Sequence, residues 1–177
     1  MPALSLSIGS NIDAAQNVRR ALALLRAEFG DVRCSSVYES ESVGFAGDNF
    51  LNLAAVISTE KPLEQILPLI KRIEDKLGRD REQPKFSGRT IDIDILTYGD
   101  VTGLIAGIEL PRDEITRNAF VLCPLAELLP GAAHAGTGKT YAALWQDYDK
   151  QRQKLWSIPF DWDDQASVSA SASSMDT

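Results

Sequence analysis

Thr90-Ile91-Asp92-Ile93-Asp94-Ile95-Leu96-Thr97-Tyr98 opens with strict alternation of polar and apolar residues, the period of a half-buried β-strand. The clearest helical pattern in the chain precedes it. Leu63, Ile66, Leu67, Ile70, Ile73 and Leu77 recur at spacings of three and four after Lys61-Pro62, and Gly78 ends the run. Working back, residues 32–41 and 50–59 read as two strands of a hairpin joined by the Gly-bearing loop SVGFAGDN. Before them, Val18, Ala21, Leu22, Leu25 and Phe29 mark a helix with Asp13 as N-cap and Gly30 as stop. At the front, Leu4, Leu6 and Ile8 alternate with serines up to the turn Gly9-Ser10-Asn11. Strand, helix, strand, strand, helix, strand is the split βαβ pattern, which predicts an α+β, ferredoxin-like chain. Its helices are expected on one face of a mainly antiparallel sheet. Beyond Gly99-Asp100 the pattern predicts one more strand near 104–110 and extra C-terminal helices around 119–128 and 140–150, packed around the sheet's edge. Trp145, Trp156 and Trp162 all fall in the last third and suggest a docked C-terminal segment. Residues 1–164 are expected to form the domain, and 165–177, rich in Ser and Ala, a disordered tail.

The chain has 177 residues, enough to bury roughly 70% of its unfolded surface without disulfides or structural metal. Its two cysteines, Cys34 and Cys123, have no ligand spacing, as in a reduced cytosolic protein. With 18 Lys+Arg against 25 Asp+Glu the net charge is −7, which disfavours general binding to nucleic acid or an anionic membrane. No basic leader and no apolar run of spanning length is present, so a cytoplasmic protein is expected. It is also expected to be a monomer.

Alternation in Ile91–Ile95 puts the isoleucines on one face of the strand and Asp92 and Asp94 on the other, about 7 Å apart. Two like charges there need a cation. Either Mg²⁺, which takes carboxylate and phosphate oxygens, or neighbouring arginines on a solvated polar face would serve. Seven of the 18 basic residues fall between Lys71 and Arg89 (Lys71, Arg72, Lys76, Arg79, Arg81, Lys85 and Arg89), so a basic loop runs straight into the acidic strand. That combination suits a metal-bound polyphosphate. The interspersed Glu74, Asp75, Asp80 and Glu82 also allow a salt-bridged, solvated surface. Pro84 and Gly88 fit a segment that closes over a substrate. Gly138-Lys139-Thr140 resembles the end of a phosphate-binding P-loop, but Ala133 stands where the first glycine is needed. His134, the single histidine, is expected to be an exposed loop residue, which leaves no histidine triad or multi-histidine metal site.

Together Ile8-Gly9-Ser10-Asn11, Phe50-Leu51-Asn52, Arg72-Ile73-Glu74, Gly78-Arg79 and above all Gly88-Arg89-Thr90-Ile91-Asp92-Ile93-Asp94 resemble the hydroxymethyldihydropterin pyrophosphokinases of folate synthesis, over roughly residues 3–160. The resemblance implies a ferredoxin-like fold and transfer of pyrophosphate from ATP to the 6-hydroxymethyl group of 7,8-dihydropterin, giving AMP with two Mg²⁺ ions. It implies that Asp92 and Asp94 are metal ligands and that Arg79 and Arg89 are catalytic-loop arginines, with Asp94 assisting deprotonation of the hydroxyl through its metal. Lys71 and Glu74 fall where the family contacts the nucleotide. Phe50 and Phe120 match the rings that sandwich the pterin, Asn52 the amide that reads its edge, and Ser40 and Val43 a segment whose backbone contacts it. The chain departs from the family's pattern at Arg112, where a histidine is usual, and at Asn118, where an arginine is usual. Arg112 and Arg117 are expected to reach the ATP phosphates in their place. A divergent homologue that binds a pterin or nucleotide without turnover is the alternative. An RNA-binding module is disfavoured by the charge and by the lack of an aromatic RNA-binding strand.

Overall fold

The computed structural model describes residues 2–41, 49–78 and 91–162. Its elements are β1 (Ala3–Ser10), α1 (Ala14–Phe29), β2 (Arg33–Cys34), β3 (Val37–Ser40), β4 (Phe50–Ser58), α2 (Leu63–Lys76), β5 (Asp92–Tyr98), β6 (Gly103–Ile105), β7 (Ile108–Leu110), α3 (Glu114–Arg117), α4 (Ala119–Leu128), α5 (Tyr141–Asp147) and β8 (Leu155–Ile158). The sheet runs β5-β1-β4-β3-β8, with β2 also on β4 and every pairing antiparallel. Each crossover helix thus links two strands separated by a third, as the split βαβ reading requires.

The first hairpin strand is broken. Arg33 pairs with Val56 but Tyr38 with Asn52, five steps along one strand against four along the other, so one residue is bulged out. Ser35 fills the gap: its N–H donates to Ala54 O at 3.0 Å, and its Oγ accepts from Ala54 N at 2.9 Å. The strand expected near 104–110 is also two, β6 and β7, reversed at Ala106 (φ 50°) and Gly107 (φ 87°).

The main core lies under one face of the sheet. Leu4, Leu6, Ile8, Leu53, Ile57, Ile93 and Ile95 pack there on Leu22 and Leu25 of α1 and Ile66, Ile70 and Ile73 of α2. Burying each such side chain contributes about 1.5–3 kcal/mol. Gly78, at φ 86°, ends the α2 region where the pattern placed the stop. Asp13 precedes α1 as expected but makes no capping bond; instead Asn17 Nδ2 donates to Ile12 O at 2.7 Å.

The expected single helical face and edge-packed C-terminal helices do not hold. A second core, with Val121, Leu122 and Leu125 of α4 and Tyr141 of α5, covers Ala54 and Leu96 from the opposite side. The sheet is therefore helical on both faces, and α4 covers only part of the second. Glu127 of α4 fastens it to β3, accepting from Ser36 N at 2.9 Å and Tyr38 Oη at 2.5 Å. Desolvation, followed by that carboxylate, pushes the Tyr38 phenol far above its ordinary pKa. The C-terminal segment does dock: β8 pairs with β3, and Trp156 Nε1 donates to Glu39 Oε1 at 2.8 Å. The 165–177 tail lies outside the described residues.

His134 is buried, not the exposed loop residue expected. Its ring closes the turn, with Nδ1 accepting from Thr137 N at 3.0 Å. Burial lowers its pKa. Between that lowered value and about 6.5 the unfolded chain binds more protons than the folded one, so the contribution is complete above about pH 6.5 and falls away below it. His134→Asn keeps an acceptor for Thr137 N–H and should flatten part of the fall in melting temperature from pH 7.5 to 5.5. An identical fall in both proteins would contradict this.

Candidate active site

Cross-strand register assembles the site. Gly9 of β1 pairs with Asp92 of β5 on one side and Asn52 of β4 on the other, and Asn52 pairs in turn with Tyr38 of β3. One step away on the same face, Ser7 pairs with Asp94; Ser40 pairs with Phe50. Asp92, Asp94, Gly9, Asn52, Phe50 and Ser40 thus share the second face of the sheet; Asp94 stands in the same cross-strand row as Ala54, at the border of the patch that α4 covers, and the others run away from it. Phe120, second residue of α4, packs partly buried against that cover.

Asp94 is exposed and Asp92 half-buried. The absent Cβ of Gly9 keeps this row open. One placed there would lie 2.7 Å from Asn52 Oδ1. Asn52 is 6% exposed, and its Nδ2 donates to Ser40 Oγ at 3.4 Å. Among the described residues no cluster of three or more His, Cys, Asp or Glu forms a metal site, and the aspartates stand as a pair. Its donors are hard carboxylate oxygens open to solvent on one side, which fits Mg²⁺ shared with phosphate oxygens.

Glu74 is buried, 7% exposed, and its Oε2 accepts from Ile93 N at 2.7 Å. The bond lies on the outer edge of β5, at the residue between the two aspartates. A helix–strand brace of this kind has no signature in sequence spacing. Lys71, one turn earlier on α2, is exposed. Arg112 sits against β5: its backbone N–H donates to Leu96 O at 2.8 Å and its Nε to Ile95 O at 3.1 Å. Its head group is anchored immediately beyond Asp94. Arg117 faces solvent and pairs with Asp113 at 2.9 Å. Asn118 Oδ1 accepts from Gln153 Nε2 at 3.0 Å, a partner that the sequence reading missed because it lies 35 positions away. Val43, Arg79 and Arg89, with Pro84 and Gly88 of the expected closing segment, lie outside the described residues.

A family model for 7,8-dihydro-6-hydroxymethylpterin-pyrophosphokinase matches residues 5–130, which takes in the Gly9, Asn52, Asp92, Asp94 and Phe120 positions. The chain belongs to the hydroxymethylpterin pyrophosphokinase family. It is 36% identical over 127 residues to the 2-amino-4-hydroxy-6-hydroxymethyldihydropteridine pyrophosphokinase of Bacillus subtilis, covering 70% of this chain and 75% of that protein. It is 32% identical over 146 residues to a folate synthesis bifunctional protein of Chlamydia caviae, covering 78% of this chain but only 33% of that longer protein. The wild-type HPPK-DHPS crystal structure from Plasmodium falciparum shares the fold, with a TM-score of 0.66 and 17% identity over 85% of this chain and 46% of that one. No described helix is long and apolar enough to cross a membrane.

Proposed function

We propose that this chain transfers pyrophosphate from ATP to the 6-hydroxymethyl group of 7,8-dihydropterin and releases AMP. Family membership supports the reaction class. The observation that carries the reading is the register that puts the two aspartates and the Asn52–Ser40 pair on one open sheet face. In the reaction, the hydroxymethyl oxygen bonds to the β-phosphorus of ATP, the bond from that phosphorus to the AMP oxygen breaks, and the hydroxyl proton leaves. Two Mg²⁺ ions held by Asp92 and Asp94 would neutralise phosphate charge and lower the hydroxyl's pKa.

The remaining work is positioning and electrostatics. Asn52 offers a donor and an acceptor to the pterin edge, oriented by its bond to Ser40. Phe50 and Phe120 supply the flat apolar walls, and the Val43 segment a backbone contact. Arg112, fixed by Ile95 O, and Lys71 on α2 take the nucleotide phosphates, together with Arg79 and Arg89. Glu74 serves the nucleotide site by holding β5. Arg117 acts from the rim, where it would exchange Asp113 for phosphate.

The test is AMP release by the purified chain with ATP, Mg²⁺ and 6-hydroxymethyl-7,8-dihydropterin. Pterin-dependent AMP formation that stops with EDTA is expected. Pterin binding with no AMP would overturn turnover in favour of a binding homologue. Gly9→Ala, by driving a methyl into Asn52 Oδ1, should weaken pterin binding about tenfold, read by pterin fluorescence titration. Unchanged affinity would remove Asn52 from the pterin edge.

A further inference from the structure

Helix α4 begins without the usual cap. Val121 N and Leu122 N donate to Asn118 O, but the Asn118 side chain makes no capping bond to the N–H groups before them. The cap is supplied from the C-terminal segment. Gln153 Oε1 accepts from Ala119 N at 2.8 Å, while its Nε2 donates to Asn118 Oδ1 at 3.0 Å. One amide therefore grips two successive residues, and the next residue is Phe120. Tyr148 Oη adds a bond to Arg117 O at 2.7 Å just before them.

The other end of this brace is fixed as well. Two residues after Gln153, Leu155 pairs with Ser40, and Trp156 pairs with Glu39. Ser40 is the acceptor that orients Asn52. A short run of chain, 153–156, thus spans from the backbone that carries Phe120 to the strand that carries Ser40. It also lies beyond residue 130, where the family match ends.

We propose that Gln153 is a positioning residue for the pterin site: it sets the distance between the Phe120 wall and the Ser40–Asn52 wall. This rests on the reading of Phe120 and Asn52 as pterin contacts given above. Gln at 153 also accounts for Asn at 118, since an arginine there would present donors to Gln153 Nε2 and lose the bond. The brace joins the start of α4 to β3, whereas Asp92, Asp94 and Lys71 stand on β5 and α2, so its loss should fall mainly on the pterin.

The experiment compares the full-length wild type, Gln153→Met and Gln153→Glu in AMP release and pterin fluorescence titration. Gln153→Met keeps the side-chain length but removes both bonds, and is expected to raise the KM and Kd for the pterin about tenfold while the KM for ATP changes far less. Gln153→Glu keeps the acceptor for Ala119 N–H and should fall between. Adding Asn118→Ala to Gln153→Met should cost nothing further, because the two residues act as one unit. Unchanged pterin affinity in Gln153→Met overturns the proposal, as does a parallel rise in both KM values with a lowered melting temperature. Failure of the wild type to bind the pterin would overturn the underlying site reading too, and is distinguished by the wild-type titration alone.

Discussion

Asp94→Ala is expected to lower AMP formation by about a thousandfold or more while the fold stays intact. Metal-borne stabilisation of transferring phosphate charge is worth several kcal/mol, and about 4 kcal/mol corresponds to a thousandfold in rate. Asp94 is exposed on an edge strand, so its carboxylate can be removed without opening a cavity. Asp92, half-buried and registered against Gly9, is the more demanding position, and Asp92→Ala should cost both activity and some stability. The measurement is AMP release across a Mg²⁺ titration, with thermal melting as the control for folding. Near-wild-type turnover of Asp94→Ala at saturating Mg²⁺ and ATP would remove this pair from the metal site.

Glu74→Ala should destabilise the protein by about 1–3 kcal/mol, the penalty for leaving a buried N–H without its acceptor. The N–H is that of Ile93, on the edge strand between the two aspartates. An edge strand has no neighbour to satisfy its outward groups, so a helix side chain does it here. Glu74→Gln retains an acceptor oxygen and should lose less than half as much. Urea denaturation gives both values. Because the bond also holds β5 in place, Glu74→Ala should weaken Mg²⁺-dependent nucleotide binding more than Glu74→Gln does. Equal loss of stability in the two variants would show that the charge, not the acceptor to Ile93, is what matters at this position.

Much of this molecule is legible from periodicity alone. Strands β1, β4 and β5 and helices α1 and α2 follow from repeats of two and of three to four, and their order leaves the split βαβ sheet as the natural arrangement. The same alternation settles that Asp92 and Asp94 share a face, since the side-chain period of a strand is two. What periodicity cannot see is which surface an element meets. α4, Ala-Phe-Val-Leu-Cys-Pro-Leu-Ala-Glu-Leu, is too uniformly apolar for a stripe to reveal its direction, and only the sheet's uncovered second face decides where it packs. β8 is recognised only by the open edge of β3. The bulge at Ser35, the burial of His134 and the room that Gly9 leaves for Asn52 are likewise set by partners distant in sequence or by turn geometry that no pattern announces. Glu74 and Gln153 show the limit most clearly. On sequence one is a charge on a helix flank and the other a polar residue near the C-terminus. Each acquires a role by accepting from a backbone N–H, Ile93's or Ala119's, that folding brings within hydrogen-bond reach from 19 or 34 positions away. Local spacing determines the elements and the chemistry each can offer. Long-range hydrogen bonding decides which of those groups face the substrate and which hold the others still.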